Sequence, residues 1–294
     1  MSYVDLPLEA RNLMRALAGA PAQEYVQHLL DVGLTRAWAQ PLSTLADARA
    51  GFLEPRQCLQ AALGHYAFLR RGRDRQELAH LARESIAEAQ LASDIPIVER
   101  RDGSSVWKCF EARCESAGRK PLPELNYGPV AGLVELAQEI YQQDGVGSIA
   151  QWIGDAVVRT GRLEAEFERI VDIRGVGPKF ASVFLRDVVF VLDVEDTIAP
   201  VDRLYLQPID KWIRMSAPLI LDSDQQHSAA GSEDTPHAGN EGRPDWVLAG
   251  KLAKYARLAG VQGTRLNMGA SWLGSREGKS PHAFLQHLRR LRSG

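Results

Sequence analysis

Apolar residues recur at spacings of three and four along most of this chain, which is the pattern of amphipathic helices. In the first hundred residues the pattern is clearest over residues 8–18, 23–30, 54–69 and 75–91. From residue 125 a run of shorter helices follows, over residues 128–141, 147–159 and 162–173, with glycine and proline between them. The periodicity therefore predicts an all-α fold.

Two segments depart from this pattern. A short run of β-branched and apolar residues, 188–194, is the only good strand candidate. Residues 222–243 contain almost no large apolar side chains and are rich in Ser, Gly, Asp, Glu and His. Such a segment cannot bury enough apolar surface to order itself, so we expect a flexible polar loop. Helical patterns resume over residues 246–258 and 281–291.

Composition narrows the class of protein. The 294 residues, 45% of them hydrophobic, can form a substantial core. No apolar run approaches the roughly 20 residues that cross a bilayer. The start of the chain has no basic stretch followed by an apolar one, so we expect no signal peptide and a cytoplasmic location. The three cysteines, Cys58, Cys109 and Cys114, are too few for a four-cysteine iron–sulfur cluster, and we expect neither metal nor cofactor.

The charge is unevenly distributed along the chain. The net charge is −2, but the stretch from Arg243 to the end has ten basic residues against two acidic ones. This excess of eight positive charges favours a partner with a phosphate backbone, although it also fits a solvated helix surface.

The most informative stretch is a tight turn between two helical patterns. The first pattern ends near Ile173, then comes Arg174-Gly175-Val176-Gly177-Pro178-Lys179, and the second covers residues 180–189. Two glycines around one apolar residue permit a turn too tight for side chains, and proline suits the first turn of a helix. The second helix therefore starts with free backbone N–H groups, which bind phosphate oxygens.

This turn resembles the helix-hairpin-helix DNA-binding motif in its Gly-Val-Gly-Pro-Lys form. Downstream, Ile198-Ala199-Pro200-Val201-Asp202-Arg203 places an aspartate after an apolar loop and before another helical pattern, residues 203–214. This segment is similar to the Val-Asp segment of the helix-hairpin-helix DNA glycosylase superfamily, which includes endonuclease III and the 8-oxoguanine glycosylases. The resemblance covers residues 127–215 and implies a two-lobed helical fold.

The resemblance assigns catalysis to Lys179 and Asp202, whose counterparts in the family face the same abasic-site carbon. A carboxylate stabilises the positive charge that develops on the sugar, and a neutral lysine attacks the anomeric carbon to form an imine. The separation of Lys179 and Asp202, 202 − 179 = 23, is slightly longer than is usual in the family, which implies an insertion over residues 190–197. Three acids in that insertion compete for the role of Asp202: Asp193, Glu195 and Asp196. Phe180 stands where the family has threonine, and its four-cysteine cluster is absent.

DNA contacts are assigned to the turn and to the start of the helical pattern over residues 203–214, at Arg174, Gly175, Val176, Gly177, Lys179 and Arg203. A flipped base needs an aromatic or apolar pocket, for which Trp107, Trp152, Trp212 and Trp272 are candidates. Among them Trp272 is favoured, because residues 264–274 resemble an Asn-x-Gly-x-x-Trp segment near the end of archaeal 8-oxoguanine glycosylases. For each tryptophan, burial in a core is the alternative.

Together these patterns and the resemblance predict four regions: an N-terminal helical region (1–125), the helix-hairpin-helix catalytic bundle (126–221), the flexible polar loop (222–243) and C-terminal basic helices that pack back on the N-terminal lobe (244–294). The resemblance implies a monomeric, nucleoid-associated glycosylase with abasic-site lyase activity, which removes a damaged or modified base such as 8-oxoguanine from double-stranded DNA. Two alternatives stay open: a non-catalytic DNA-binding protein with the same hairpin, and a glycosylase of this fold that acts on modified foreign DNA.

Overall fold

Helices form over most of the segments where the apolar periodicity predicts them, and every regular element in the described part of the chain is helical. The pattern predicted over residues 203–214 is not one helix, because the 3-10 helix Asp202–Leu206 ends before Pro208 and an α-helix begins only at Lys211. The computed structural model describes residues 6–68, 75–100, 103–221, 245–277 and 280–293. The predicted polar loop, 222–243, lies outside these residues. The all-α prediction is confirmed.

The α-helices of the described residues are numbered in chain order. The first nine are α1 (Leu8–Ala18), α2 (Ala20–His28), α3 (Thr35–Trp38), α4 (Leu45–Leu53), α5 (Pro55–Ala61), α6 (Arg75–Leu91), α7 (Ser104–Ser116), α8 (Pro123–Tyr127) and α9 (Leu133–Asp144). They are followed by α10 (Ile149–Thr160), α11 (Glu164–Val171), α12 (Pro178–Leu192), α13 (Lys211–Leu221), α14 (Asp245–Ala259), α15 (Gly263–Glu277) and α16 (Pro281–Ser293).

Two other kinds of helical turn connect these helices. Short 3-10 helices cover Ile97–Glu99, Glu195–Thr197 and Asp202–Leu206. Three π-helical turns, Leu29–Leu34, Ala62–Tyr66 and Gly128–Gly132, each continue an α-helix that precedes them. A π-turn widens the helix locally, and such turns are frequent at functional sites.

The strand prediction over residues 188–194 is wrong, because α12 continues through this run to Leu192. Most side chains of α12 from Ala181 to Val191 are buried. A helix buried on nearly all sides is apolar all round, and its sequence then resembles that of a buried strand. The guanidinium of Arg49 on α4 donates to the carbonyl oxygens of Val191 and Leu192, at 3.1 and 2.9 Å, which satisfies the end of this helix.

The chain forms two compact units. The larger unit contains residues His28–Ile198, and aromatic side chains pack in its core, with the Tyr66 and Phe184 rings 5.1 Å apart. The smaller unit combines Met1–Gln27 with Ala199–Gly294. The predicted boundary between residues 125 and 126 falls inside the larger unit.

Helix α1 lies at the centre of the smaller unit, where it packs against α13, α15 and α16. Its apolar face, including Leu13 and Leu17, shares a core with Trp212, Tyr255 and Phe284. The C-terminal helices thus bury their apolar faces against the first helix of the chain.

Candidate nucleic-acid interface and active site

The predicted turn connects α11 and α12, which pack against each other in the larger unit. Inside the turn, the Val176 N–H donates to the carbonyl oxygen of Ile173 at 2.9 Å. Gly175 has φ +83°, a backbone conformation that a side chain rarely adopts. Val176 is 5% exposed, so the apolar residue between the two glycines is inserted among the helices.

A third glycine, which the sequence analysis did not identify, lies behind this turn. A Cβ atom at Gly128 would lie 1.7 Å from the carbonyl oxygen of Arg174. A Cβ atom at Gly132, at the end of the same π-turn, would lie 2.6 Å from the side chain of Ile173. The helix that contains this π-turn can therefore support the back of the turn only because both positions lack a side chain.

The front of the turn is open. Gly177 is the residue before α12, and a Cβ atom there would have no neighbour within 4 Å. No side chain caps the N-terminus of α12, and Pro178 is its first residue. The first free N–H groups of a helix carry a partial positive charge and accept anions. Arg174 and Lys179 are both exposed beside this N-terminus.

Phe180, which replaces the threonine of the similar family, is half-buried. Its ring is stacked on that of Phe184, one helical turn further along α12, with the centroids 6.3 Å apart. Phe184 in turn meets the ring of Tyr66 edge-on in the core, so Phe180 ties the start of α12 to the interior of the larger unit.

Asp202 begins the 3-10 helix Asp202–Leu206 in the smaller unit, and this helix packs against α14 and α15. Its side chain is 1% exposed, and its N–H donates to the carbonyl oxygen of Ala199 at 2.9 Å. Burial of an aspartate is uncommon and needs compensating interactions. Arg203, the next residue, is half-buried.

Lys179 and Asp202 belong to different compact units. Their convergence on one deoxyribose therefore stays a prediction. Of the three competing acids, Asp193 ends α12 in a left-handed conformation with φ +60°, and Asp196 is exposed. Glu195 is 3% exposed and opens a 3-10 helix of only three residues.

The candidate tryptophans have different surroundings. Trp107 and Trp152 are almost completely buried in the larger unit, where the Arg169 guanidinium lies 5.5 Å from the centre of the Trp152 ring. Trp212 is 7% exposed in the core of the smaller unit, and a Cβ atom at Gly274 would lie 2.3 Å from it.

Trp272 is partly exposed on α15 of the smaller unit. Its indole N–H donates to the Glu24 carboxylate at 3.1 Å, which lowers the pKa of that carboxyl group. The ring of Tyr25 meets it edge-on, with centroids 6.3 Å apart. Trp272 is therefore the candidate with accessible ring surface and a fixed orientation.

The rest of the Asn-x-Gly-x-x-Trp segment has structural roles. Asn267 is fully buried and donates to the carbonyl oxygen of Pro208 at 3.1 Å, which fixes the segment that follows the 3-10 helix of Asp202. A Cβ atom at Gly269 would lie 1.8 Å from the carbonyl oxygen of Leu17. Gly269 thus allows α15 to approach α1 closely.

Part of the C-terminal positive charge is compensated inside the smaller unit. Arg276 forms an ion pair with Glu24, and Arg292 pairs with Glu9 at 3.3 Å. Arg289 and Arg290 are exposed on α16. The excess basic charge that is visible in the sequence is therefore smaller at the surface than the residue count indicates.

No family model matches the chain, and neither a curated protein nor a solved structure matches it. In the part of the chain that the structure describes, none of the helices is long and apolar enough to span a membrane.

Proposed function

We propose that this chain is a monomeric DNA glycosylase with abasic-site lyase activity, which removes a damaged or modified purine from double-stranded DNA. The observation that carries the proposal is the open glycine turn before α12. It presents an uncapped helix N-terminus beside the exposed Arg174 and Lys179, and a Cβ atom at Gly177 would have no neighbour within 4 Å. This combination supports the binding of a phosphate group of the DNA backbone.

The proposed chemistry uses Lys179 as the nucleophile. Its Nζ lone pair attacks C1′ of the deoxyribose, the glycosidic bond breaks, and the base leaves with the bonding electrons and takes up a proton. Opening of the sugar ring then gives an imine, and β-elimination breaks the strand. Lys179 is exposed in the free protein. The bound DNA would therefore have to exclude water from this amine.

Asp202 supports the second half of the proposal. It is a buried carboxylate, and a carboxylate stabilises positive charge more strongly where water is excluded. In our proposal Asp202 stabilises the cationic sugar and accepts the lysine proton, and Arg203 contacts a phosphate. The flipped base stacks on Trp272, whose ring is the most accessible among the four candidates.

Borohydride trapping tests the chemistry. We expect the protein to form a covalent adduct with duplexes that contain 8-oxoguanine or an abasic site when borohydride reduces the imine. Lys179→Gln abolishes the adduct, and Asp202→Asn lowers the rate of base release by about 100-fold or more, because it removes electrostatic stabilisation of the transition state. Lys120→Gln, at another exposed lysine of the larger unit, is the matched control and should leave trapping unchanged.

The result of trapping also separates the alternatives. Base release without an adduct would restrict the proposal to a glycosylase without lyase activity. A screen of duplexes with modified bases then distinguishes a repair enzyme from one that acts on foreign DNA. Persistence of the adduct in Lys179→Gln would refute the assignment of the nucleophile.

The second candidate function is passive DNA binding. The exposure of Lys179 favours it, since exposed lysines are common phosphate contacts. Duplex binding with neither base release nor adduct, on any modified duplex, would support this function and overturn the proposed enzyme.

Gly177→Ala tests whether the turn is the DNA contact in either function. The added methyl group has space in the folded protein, because it meets no atom within 4 Å. It would occupy the position in front of the helix N-terminus where a phosphate binds. We expect DNA affinity to fall at least tenfold with an unchanged Tm. The interface would be contradicted if Gly177→Ala keeps the wild-type affinity for DNA, or if its loss of affinity is accompanied by a lower Tm.

A further inference from the structure

A cavity of about 400 Å³ lies in the larger unit, away from the glycine turn. It is lined by residues from the end of α2 to α3, from the π-turn Ala62–Tyr66 onward, and from α6: His28, Val32, Gly33, Arg36, Gly64, His65, Phe68, Arg75, Gln76, Ala79, His80 and Arg83. Two of the three π-turns in the described residues thus contribute to one cavity. This volume is within the range of small-molecule sites.

The charged side chains that line the cavity are arginines. It contains the guanidinium groups of Arg36, Arg75 and Arg83 and three imidazole rings, and no residue that lines it in the described part of the chain carries a carboxylate. Arginine binds phosphate groups through two parallel N–H donors. Arg83 is already paired with Glu84, so Arg36 and Arg75 are the arginines that favour an anion here.

One of these arginines is held firmly in place. The side chain of Arg83 is 13% exposed and forms an ion pair with Glu84. Its Nη1 donates to the carbonyl oxygen of Arg36 at 2.6 Å, and its Nη2 donates to Nδ1 of His80 at 2.9 Å. These contacts join α6 to α3 and fix this wall of the cavity before any ligand arrives, which reduces the entropy cost of binding.

His65 forms a neutral part of the wall. Its ring lies above Gly33, where a Cβ atom would be 2.8 Å from it, and packs edge-on against Tyr66. Burial lowers the pKa of His65 to about 4. The ring is therefore uncharged near neutral pH, and it can donate or accept a hydrogen bond with a ligand without adding charge.

The cavity is separate from the proposed DNA contact. The hydroxyl group of Tyr66, next to His65, donates to the Asp187 carboxylate on α12 at 3.2 Å. Asp187 follows Lys179 by eight residues, which is about 12 Å along a helix. A single nucleotide at Lys179 would therefore not be expected to fill this cavity.

We propose that this cavity binds a small organic phosphate monoester, of about the size of a sugar phosphate or a mononucleotide. The phosphate group contacts Arg36 and Arg75, and the organic part lies against the apolar wall of Val32, Phe68 and Ala79. A phosphate ion alone would leave most of this volume empty. The site goes beyond the proposed DNA chemistry and does not depend on it.

Calorimetric titration of the full chain tests the proposal with four probes: adenosine 5′-monophosphate, glucose 6-phosphate, inorganic phosphate and adenosine. We expect at least one monoester to bind more tightly than inorganic phosphate, and adenosine not to bind. Arg36→Gln and Arg75→Gln, both at exposed side chains that should not affect folding, each weaken binding by about tenfold. Arg159→Gln, at an exposed arginine outside the cavity, is the matched control.

Several results would overturn this assignment: neither monoester binds at millimolar concentration, or inorganic phosphate or adenosine binds as tightly as the monoesters. Wild-type affinity in both arginine variants would also overturn it. A short oligonucleotide without a terminal phosphate that displaces the monoester at equal concentration would reassign the cavity to the nucleic-acid backbone. Loss of borohydride trapping in Lys179→Gln bears only on the glycosylase, so the two proposals fail separately.

Discussion

Single residues decide the shape of both proposed sites, and glycines do so in different ways. Gly175 supplies a positive φ, Gly128 allows the supporting helix to touch the turn, and Gly177 leaves space in front of it. Gly33 accommodates the ring of His65 in the same manner on the wall of the cavity. The absence of a side chain therefore contributes as much to these sites as the charged groups do.

His65 should make the stability of the protein depend on pH. Its pKa is about 4 in the folded protein, compared with 6.5 for an ordinary histidine. Between these values the unfolded chain binds a proton that the folded protein does not, so the free energy of unfolding falls as the pH decreases from 6.5 to 4. The full effect is about 3 kcal/mol.

Urea denaturation at several pH values measures this effect. We expect the stability difference between the wild type and His65→Gln to shrink by up to about 3 kcal/mol between pH 7 and pH 4. His282→Gln, at an exposed histidine of α16, is the control and should follow the wild type. A constant difference between wild type and His65→Gln would show that His65 has the same pKa in the folded and unfolded protein, and would contradict this prediction.

At the scale of helices, close backbone contacts determine which surfaces meet. α15 reaches α1 at Gly269, where the carbonyl oxygen of Leu17 occupies the position of a side chain. The same helix holds Asn267 and Trp272 on other sides, so the Asn-x-Gly-x-x-Trp spacing combines a buried polar contact, a helix crossing and a partly exposed ring.

A matched pair of glycine variants tests this contact. Gly269→Ala should lower the free energy of unfolding by about 1–3 kcal/mol or more, because its methyl group would overlap with the Leu17 carbonyl oxygen. Gly250→Ala on α14 should raise it by about 0.5–1 kcal/mol, since that position has no neighbour within 4 Å and alanine favours a helix. Urea denaturation measures both, and equal effects of the two variants would contradict the proposed crossing.

At the scale of the whole molecule, the net charge of −2 limits how DNA can be bound. The chain cannot coat DNA through a general positive charge, so binding must depend on a local group of donors. Arg174 and Lys179 beside the open turn form such a group, with Arg203 as a third contact in our proposal.

The salt dependence of duplex binding tests this limit. If about three phosphates are neutralised, the logarithm of the association constant should fall with a slope of roughly −3 against the logarithm of salt concentration. Lys179→Gln should reduce the magnitude of that slope by about 1, and Lys120→Gln should leave it unchanged. A wild-type slope of about −8 would instead indicate a wide basic surface that includes α16.

The fold class could be predicted because helices repeat their apolar positions locally. The segments predicted over residues 8–18 and 75–91 are helices α1 and α6, with the expected bounds. The end of α12 is apolar on all sides, so its sequence has no three- and four-residue spacing of apolar positions. The strand prediction over residues 188–194 is wrong for that reason. The turn before α12 was also visible, since glycine and proline act on the adjacent backbone.

The sequence by itself determined the all-helical class, the tight turn at Gly175 and the candidate residues Lys179 and Asp202, because these depend on neighbours in the chain. Only the tertiary structure decided that Gly128 supports the turn, that Trp212 is in a core and that α1 joins the C-terminal helices. It also brought three arginines and three histidines around one cavity. Such contacts join residues that are distant in sequence, and no local pattern records which apolar faces will meet.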